Sequence, residues 1–479
     1  MKSETMLTLA IFVPLAGAFL LPLAGKISSR ARNALAFLFV LAPLVFSTLL
    51  LPSASAARTT AINIALPLGF NFAFSADALA VFMAITSSLL SAVILLYSFG
   101  YISHYDNQNE YYALVVLFLG AMLGIIFCAN LIFLYVFWEI TAITSWRLIG
   151  FFREKNDILR ADKAFLITVF GALVMLAGFI ILYQQTGSFD LAVIKEAQKV
   201  RPLSSLAIAL ILVGIFSKSA TLPFHTWLPD ASVAPSPVTA LLHAAILVKI
   251  GLYVFARLFI VNISLPEVIS GIIPWVAGIS AIVSAGAALV ETDLKRLIAY
   301  STISQIGFIF LGLSMNNAAG IVGGLLYILT HGLAKAGLFL CAGIVEQNTG
   351  TKDITKLGGL IKTMPFTAVS FLFCAFSVMG IPPFGGFFAK YLVFSGAISG
   401  GRLAVAVLFL LGAFMTILYL FRAFYLVFLG QAALPVKEGS RSMVFSVVLL
   451  AVLSLLSGIL VSYPLGFLEN FLVRILGVT

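Results

Sequence analysis

The chain has 479 residues, 62% of them hydrophobic and only 10% charged, with 28 basic and 18 acidic side chains and a formal net charge of +10. A soluble domain is about 45–50% apolar and about 25% charged, so this chain cannot cover a water-facing surface and a soluble enzyme is excluded. The positive balance does not point to nucleic acid either, because the basic residues are scattered singly between apolar runs, which is the pattern of membrane topology.

Runs of about 20 apolar residues span a bilayer as helix. In chain order such runs lie near 5–24, 34–51, 76–98, 111–129, 131–151, 163–184, 203–221, 237–260, 268–290, 296–314, 319–345, 365–398, 403–429 and 441–462. That predicts an all-α polytopic membrane protein of about fourteen spans. The runs are apolar on all sides rather than alternating, which argues against a transmembrane barrel. The first run, from Met1 to Gly25, reads as a retained span and not a signal peptide. Pro14 and Pro22 interrupt it, and no small-residue cleavage site precedes a soluble region. The longest polar connections fall around 52–75, 185–202 and 346–363, and residues 1–479 read as a single membrane domain.

Lys and Arg in the connections set the orientation. One side collects the larger share, including Arg32, Arg153, Lys155, Lys163, Lys295, Arg296 and Lys352, and is expected to be cytoplasmic. The other side carries fewer, including Arg58, Lys195, Arg257 and Arg474. An even number of spans then places both termini outside, in a prokaryotic cytoplasmic membrane. Cys128, Cys341 and Cys374 all sit in apolar runs and form no CxxC pair, so neither a disulfide framework nor a zinc site is expected.

The informative charges are those within spans, where each must face a partner or a wet cavity. Glu139 lies mid-span beside Trp138. Lys218 sits just before a cluster of prolines (Pro223, Pro229, Pro235 and Pro237) through which a helix cannot continue. Lys249 follows the start of its span by about 12 residues, roughly 18 Å at the helical rise, near the midplane. His331 and Lys335 are four apart and share a helix face, which suggests a relay. Lys390 follows a second break made by Pro382, Pro383, Gly385 and Gly386. His225 lies in the first break and His243 within a span, and both are candidates for the pathway because histidine changes charge near neutral pH. Arg147 and Arg422 lie near span ends and can snorkel. Asp77 reads as a helix cap. Glu291, Asp293, Lys295 and Arg296 read as a solvated cluster on a short turn.

Broken backbone at membrane depth is tolerated only inside protein or beside a cavity, and paired breaks in matching positions point to internal repeats with sites at their interface. The two breaks define two five-span units, 111–260 and 268–429. The chain shows no Gly-rich phosphate loop, no His-Glu metal motif and no Ser/His/Asp set outside the bilayer. No catalytic chemistry, metal or cofactor is therefore expected in this chain. Haem ligation by His243 and His331 is disfavoured by the lysines beside them.

Several ordered motifs carry a family resemblance. The segment KSATLPFHTWLPDASVAPSPVTALLHAAILVK at 218–249 resembles the signature of the antiporter-like subunits of respiratory complex I. Those subunits are shared with Mrp-type cation/proton antiporters and membrane-bound energy-converting hydrogenases. FWEITAITSWRLIGF at 137–151, LKRLIAYSTISQIG at 294–307 and GIPPFGGFFAK at 380–390 carry the same resemblance. It implies a fold of fourteen helices with two inverted five-helix repeats. Motif by motif, Glu139 resembles the fifth-helix glutamate, Lys218 its seventh-helix lysine partner and Lys249 the central eighth-helix lysine. His331 and Lys335 match the eleventh-helix polar positions, and Lys390 the twelfth-helix lysine. Some complex I members carry glutamate at that last position, so lysine here argues against that branch. The chain ends soon after the fourteenth span, so the resemblance implies that it lacks the long lateral helix of the largest distal complex I subunit.

The expected function is that of a proton-translocating membrane subunit of a redox-driven pump, with Glu139, Lys218, Lys249, His331, Lys335 and Lys390 in line. Other membrane subunits, a hydrophilic redox arm and lipid would be its partners, and protons, or Na+, the transported ions. One alternative is a subunit of an Mrp-type Na+/H+ antiporter. Another is a structural subunit with a vestigial channel. Sodium usually needs several oxygen ligands, and one mid-span acid among lysines favours protons.

Overall fold

The computed structural model describes residues 1–56, 58–67, 71–431 and 435–476. Nineteen helices account for most of them: α1 (Ser3–Ile27), α2 (Ser29–Ser55), α3 (Ala78–Tyr101), α4 (Gln108–Phe127), α5 (Leu131–Ile149), α6 (Lys155–Thr186), α7 (Leu191–Val200), α8 (Ser205–Lys218), α9 (Trp227–Asp230), α10 (Ser236–Ala240), α11 (Leu247–Phe255), α12 (Glu267–Val290), α13 (Leu294–Leu313), α14 (Ala318–Thr349), α15 (Pro365–Met379), α16 (Gly385–Ser399), α17 (Leu403–Phe428), α18 (Arg441–Ile459) and α19 (Ser462–Leu476). Among the described residues, 12 helical stretches are long and apolar enough to cross a membrane, and each coincides with an expected span. The two other expected spans, near 203–221 and 365–398, are the interrupted ones. They are built from short apolar helices, α8 and then α15 followed by α16.

Burial sorts the helices into an inner and an outer set. The most apolar windows of α14 and of the Ser236–Asn262 stretch are 94% and 89% buried, whereas those of α2 and α6 are 28% and 39% buried. A helix that is apolar all round can bury every face, and the inner helices do so while carrying the central charges. The outer helices turn large side chains outward, such as Phe19, Leu166, Phe170, Phe414 and Phe445, as a lipid-facing surface requires.

The connection expected around 52–75 contains an antiparallel hairpin, β1 (Thr60–Ala65) with β2 (Asn71–Ala76), in register from Thr60 opposite Ala76 to Ala65 opposite Asn71. Its alternation of small and aromatic residues is local and does not change the helical class. The connection expected at 185–202 holds the amphipathic α7, with Leu191 and Ile194 buried.

Both breaks are present. After α8 the backbone leaves the helix at Ala220 (φ 52) and passes Pro223. Pro229 sits inside the four-residue α9, so that proline is part of a short helix and not a breaker in itself. Pro235 and Pro237 start α10, where a missing N–H costs nothing. The second break runs from Gly380 (φ 82) through Pro382 and Pro383 to α16. There Gly386 packs directly onto the Ser377 carbonyl, leaving no room for a Cβ. Gly386→Ala is expected to destabilise the assembled protein by about 1–3 kcal/mol or more, as overpacking does, read as a lower unfolding midpoint in detergent.

A third interruption has no proline. The Ser236–Asn262 stretch passes through π-helical turns at Leu241–Ala245 and Ala256–Asn262, on either side of α11 and its Lys249. Such widened turns recur at functional sites.

Two corners of the fold match residue for residue. At the end of α6, Thr186–Gly187–Ser188–Phe189–Asp190 bridges Asn130, and Gly187 takes φ 71. At the end of α14, Thr349–Gly350–Thr351–Lys352–Asp353 bridges Asp293, and Gly350 takes φ 70. In each, the threonine hydroxyl caps its own helix, at 2.8 Å from Leu182 O and 2.7 Å from Val345 O. The next helix start is held across the corner, by Leu131 N to Phe189 O at 2.9 Å and by Leu294 N to Lys352 O at 2.8 Å.

Candidate functional site

Of the titratable side chains expected within spans, Lys218, Lys249, His331, Lys335 and Lys390 are buried and Glu139 is half-buried. Lys218 lies at the C-terminal end of α8, fully buried, and donates to Trp138 O at 3.3 Å with its ammonium 5.3 Å from the Trp138 ring centre. Glu139 is the residue after Trp138 on α5, yet it forms no ion pair with Lys218. Glu139 is half-buried. It shares a helix face with Val136 and Ile143, which are 47% and 53% exposed. The residue therefore sits near where the bundle meets its surroundings, with one carboxylate oxygen, Oε1, buried and unpartnered among the described residues.

Lys249 is 1% exposed and lies 2.6 Å from His331 Nδ1. One proton serves this pair: either the ammonium donates to a neutral ring, or a protonated ring nitrogen donates to a neutral amine. His331 and Lys335 share a face of α14, as expected, but they serve different neighbours. Lys335 donates to Ser301 Oγ at 2.5 Å and to Ile298 O at 3.3 Å. Lys390 donates to Val378 O at 2.6 Å, beside the rings of Phe308 and Tyr327. The acceptor lies at the C-terminal end of α15, where the helix dipole favours a cation.

Between Lys335 and Lys390 lies a set of uncharged polar side chains that the sequence reading missed. Ser301 Oγ meets Tyr419 OH at 2.7 Å, and Gln305 Nε2 donates to Tyr419 OH at 3.3 Å and Thr416 Oγ1 at 3.2 Å. Tyr327 OH donates to Gln305 Oε1 at 2.5 Å. The signal was legible as the density of Ser, Thr and Gln within YSTISQIG, which is high for a membrane span.

His243 is fully buried, lies tilted against Phe339 at 4.4 Å between ring centres and has no protein partner on either ring nitrogen among the described residues. His225 is half-buried in the first break. Among the described residues no group of three or more His, Cys, Asp and Glu side chains converges as a metal site.

Three cations assigned to connections are in fact buried. Lys295 is 1% exposed, donating to Ala234 O at 2.8 Å and pairing with Glu346 at 3.0 Å. The turn from Glu291 to Arg296 is therefore not a solvated cluster. Arg296 reaches Asp230 in the first break at 2.8 Å, and Lys163 reaches the same carboxylate at 2.7 Å. Arg257 is 4% exposed. It forks onto both Asp77 oxygens at 2.5 and 2.8 Å and donates to Tyr253 OH at 2.9 Å. Asp77 does cap α3 as expected, accepting from Ala80 N at 2.9 Å. Arg32, also buried, bonds Asn109 and Gln108 at the start of α4. Arg147, expected to snorkel, is ion-paired with Glu110, which also holds Arg153.

Residues 128–416 match the family described as "NADH:quinone oxidoreductase/Mrp antiporter, TM", and residues 63–112 match "NADH-Ubiquinone oxidoreductase (complex I), chain 5 N-terminus". The chain is 35% identical to the A subunit of the Na(+)/H(+) antiporter of Alkalihalophilus pseudofirmus, over 82% of this chain and 53% of that one. It is 34% identical to the A1 subunit of the Na(+)/H(+) antiporter of Staphylococcus haemolyticus, over 95% of this chain and 61% of that one. It thus spans between about half and three-fifths of these curated relatives. Among solved structures, a chain of the Mrp complex from a Dietzia species superposes with a TM-score of 0.88 at 23% identity, over 99% of this chain and 98% of that one, which speaks to the fold alone. A chain of respiratory complex I from Thermus thermophilus superposes with a TM-score of 0.85 at 25% identity, over 98% of this chain and all of that one.

Proposed function

The chain belongs to the NADH:quinone oxidoreductase/Mrp antiporter family of membrane proteins, and from that premise we propose that it is a proton-translocating, antiporter-like subunit of an ion-pumping membrane complex. The observation that carries this reading is the contact between Lys249 and His331 at the centre of a row of buried lysines. Lys218, Lys335 and Lys390 rest on backbone carbonyls, and none of these four lysines pairs with a carboxylate. A carbonyl accepts a hydrogen bond from either an ammonium or an amine, so each site tolerates the gain and loss of a proton. A carboxylate partner would lock the charge in place.

The proton path runs from Lys218 to Lys249 and His331, through Lys335 and the Ser301–Tyr419–Gln305–Tyr327 set, to Lys390. His225 and His243 flank this path. Glu139 biases its start. While Glu139 is close, the Lys218 ammonium is favoured; when a neighbouring subunit draws the carboxylate away, burial disfavours the unpaired charge and its proton moves on. The position of Glu139 beside outward-facing Val136 and Ile143 suits such outside control. The chain holds no cofactor in this reading, and energy comes from partner membrane subunits or a redox arm. It lies in the cytoplasmic membrane with both termini outside.

The units 111–260 and 268–429 are read as inverted repeats. The matched corners at Gly187 and Gly350 support this, because five crossings separate them and so place them on opposite faces. A second reading, sodium/proton exchange, is favoured by the curated relatives, which are named as parts of Na(+)/H(+) antiporters. The scarcity of buried acids along the path favours the proton as the ion this chain carries.

Lys218→Ala is the direct test. In the assembled complex, proton movement into everted vesicles is expected to fall severalfold with subunit composition unchanged, and an unaltered rate overturns the reading. Sodium dependence of the wild-type rate at fixed pH separates the two ions.

A further inference from the structure

One polar opening at the first unit lies away from the row of lysines. A cavity of about 320 Å³ is walled by α7, the π-helical end of the Ser236–Asn262 stretch, and the facing ends of α12, α13 and α14. Its rim is polar and exposed, with Ser264 and Asn316 outermost. Lys195 and Gln198 from α7 brace it, donating to Val261 O at 2.8 Å and Asn262 O at 2.5 Å. Its floor is apolar and buried, formed by Phe255, Phe259 and Leu313. A polar space of this size holds on the order of ten waters at liquid density.

Phe255 of the floor is the first of three linked rings. Phe255 meets Phe310 edge-on at 5.5 Å, and Phe310 meets Phe216 edge-on at 5.4 Å. These rings come from the three elements that carry or flank the path. Phe216 is two residues from Lys218 on α8. Phe255 follows Lys249 by six residues on α11, about 9 Å at the helical rise. Phe310 lies on α13 beyond Gln305. Along their helices the rings thus lie on the cavity side of Lys218 and Lys249. Apolar constrictions of this kind hold a channel closed by excluding water.

From this juxtaposition we infer that the cavity is a separate aqueous outlet for the first unit, gated by Phe216, Phe255 and Phe310, so that a proton on Lys218 or Lys249 has an exit other than Lys390. The widened π-turn at Ala256–Asn262 gives the gate its freedom, because the backbone there can retighten to an α-helical turn and rotate Phe255. The inference rests on the proposed proton path and adds a second mouth to it.

The experiment uses the assembled complex in sealed vesicles. Phe310→Ala is expected to raise passive proton leak severalfold without any driving substrate, while Phe310→Leu, which keeps the plug, stays tight. Ser270→Cys on the cavity wall is expected to react with a membrane-impermeant thiol reagent from one side only, and the adduct to slow coupled transport. If Phe310→Ala shows wild-type leak in a complex of normal composition, and modified Ser270→Cys transports normally, the outlet is overturned. Failure of the underlying path reads differently: Lys218→Ala then pumps at the wild-type rate whatever the cavity variants do.

Discussion

Lys249→Ala is expected to abolish proton translocation by the assembled complex while leaving its assembly intact. Lys249 is buried between π-helical turns, and among the described residues its only polar side-chain contact is His331 Nδ1 at 2.6 Å. Truncation removes the amine that meets His331 of α14. It leaves His331, a base that can be neutral, and so strands no charge in the core. The barrier to proton passage should rise by more than about 1.4 kcal/mol, which is a loss of about tenfold or more in rate. Dye-monitored acidification of everted vesicles measures it. Lys249→Met, with nearly the same volume, should fail equally, which separates loss of the proton site from loss of packing. A rate within twofold of wild type in either variant would sink the role assigned to the central lysine.

The second large effect is on stability. Asp77→Ala leaves the Arg257 guanidinium, 4% exposed, without the carboxylate that receives both of its prongs. Breaking a buried ion pair by removing one partner costs about 3–5 kcal/mol, because the other charge remains desolvated. The pair ties the start of α3 to the end of the Ser236–Asn262 stretch, across 180 residues of chain. The expected result is a sharply lower yield of assembled complex and a lower unfolding midpoint. Replacing both members, Asp77→Leu with Arg257→Leu, should recover most of the loss, since apolar replacements of a buried pair are often neutral. If the double replacement is as damaged as Asp77→Ala alone, the damage does not come from a stranded charge.

Much of the fold was legible because its signals are local. Apolar runs marked twelve spans, and prolines and glycines marked the two interrupted ones. The matched corners, TGSFD and TGTKD, went unnoticed in the sequence, and the bridges to Asn130 and Asp293 make their equivalence plain. The π-helical turns beside Lys249 were not legible. No proline or glycine pattern announces them. The hairpin at Thr60–Ala65 and Asn71–Ala76 was hidden within a connection judged only by its polarity.

The site divides along the same line. Lysines in apolar runs are visible in any reading, because a charge at membrane depth is costly wherever its partner lies. The uncharged part of the path, from Ser301 to Tyr327, carries no such mark. Lys295 and Arg257 were misplaced because each lies near a span end, where exposure is the default, and only tertiary contacts with Glu346 and Asp77 bury them.

The sequence by itself therefore determined that this is a helical membrane protein with two broken spans and a row of lysines at depth. Hydropathy, helix breaking and the cost of a buried charge all act within a few residues of chain. Only the tertiary structure decided which groups meet: Lys249 with His331 across 82 residues, Lys218 with Trp138 across 80, and Lys335 with Ser301 across 34. These contacts depend on how distant helices pack, and that packing separates His331 from Lys335, two neighbours on one helix face, into contacts with different partners.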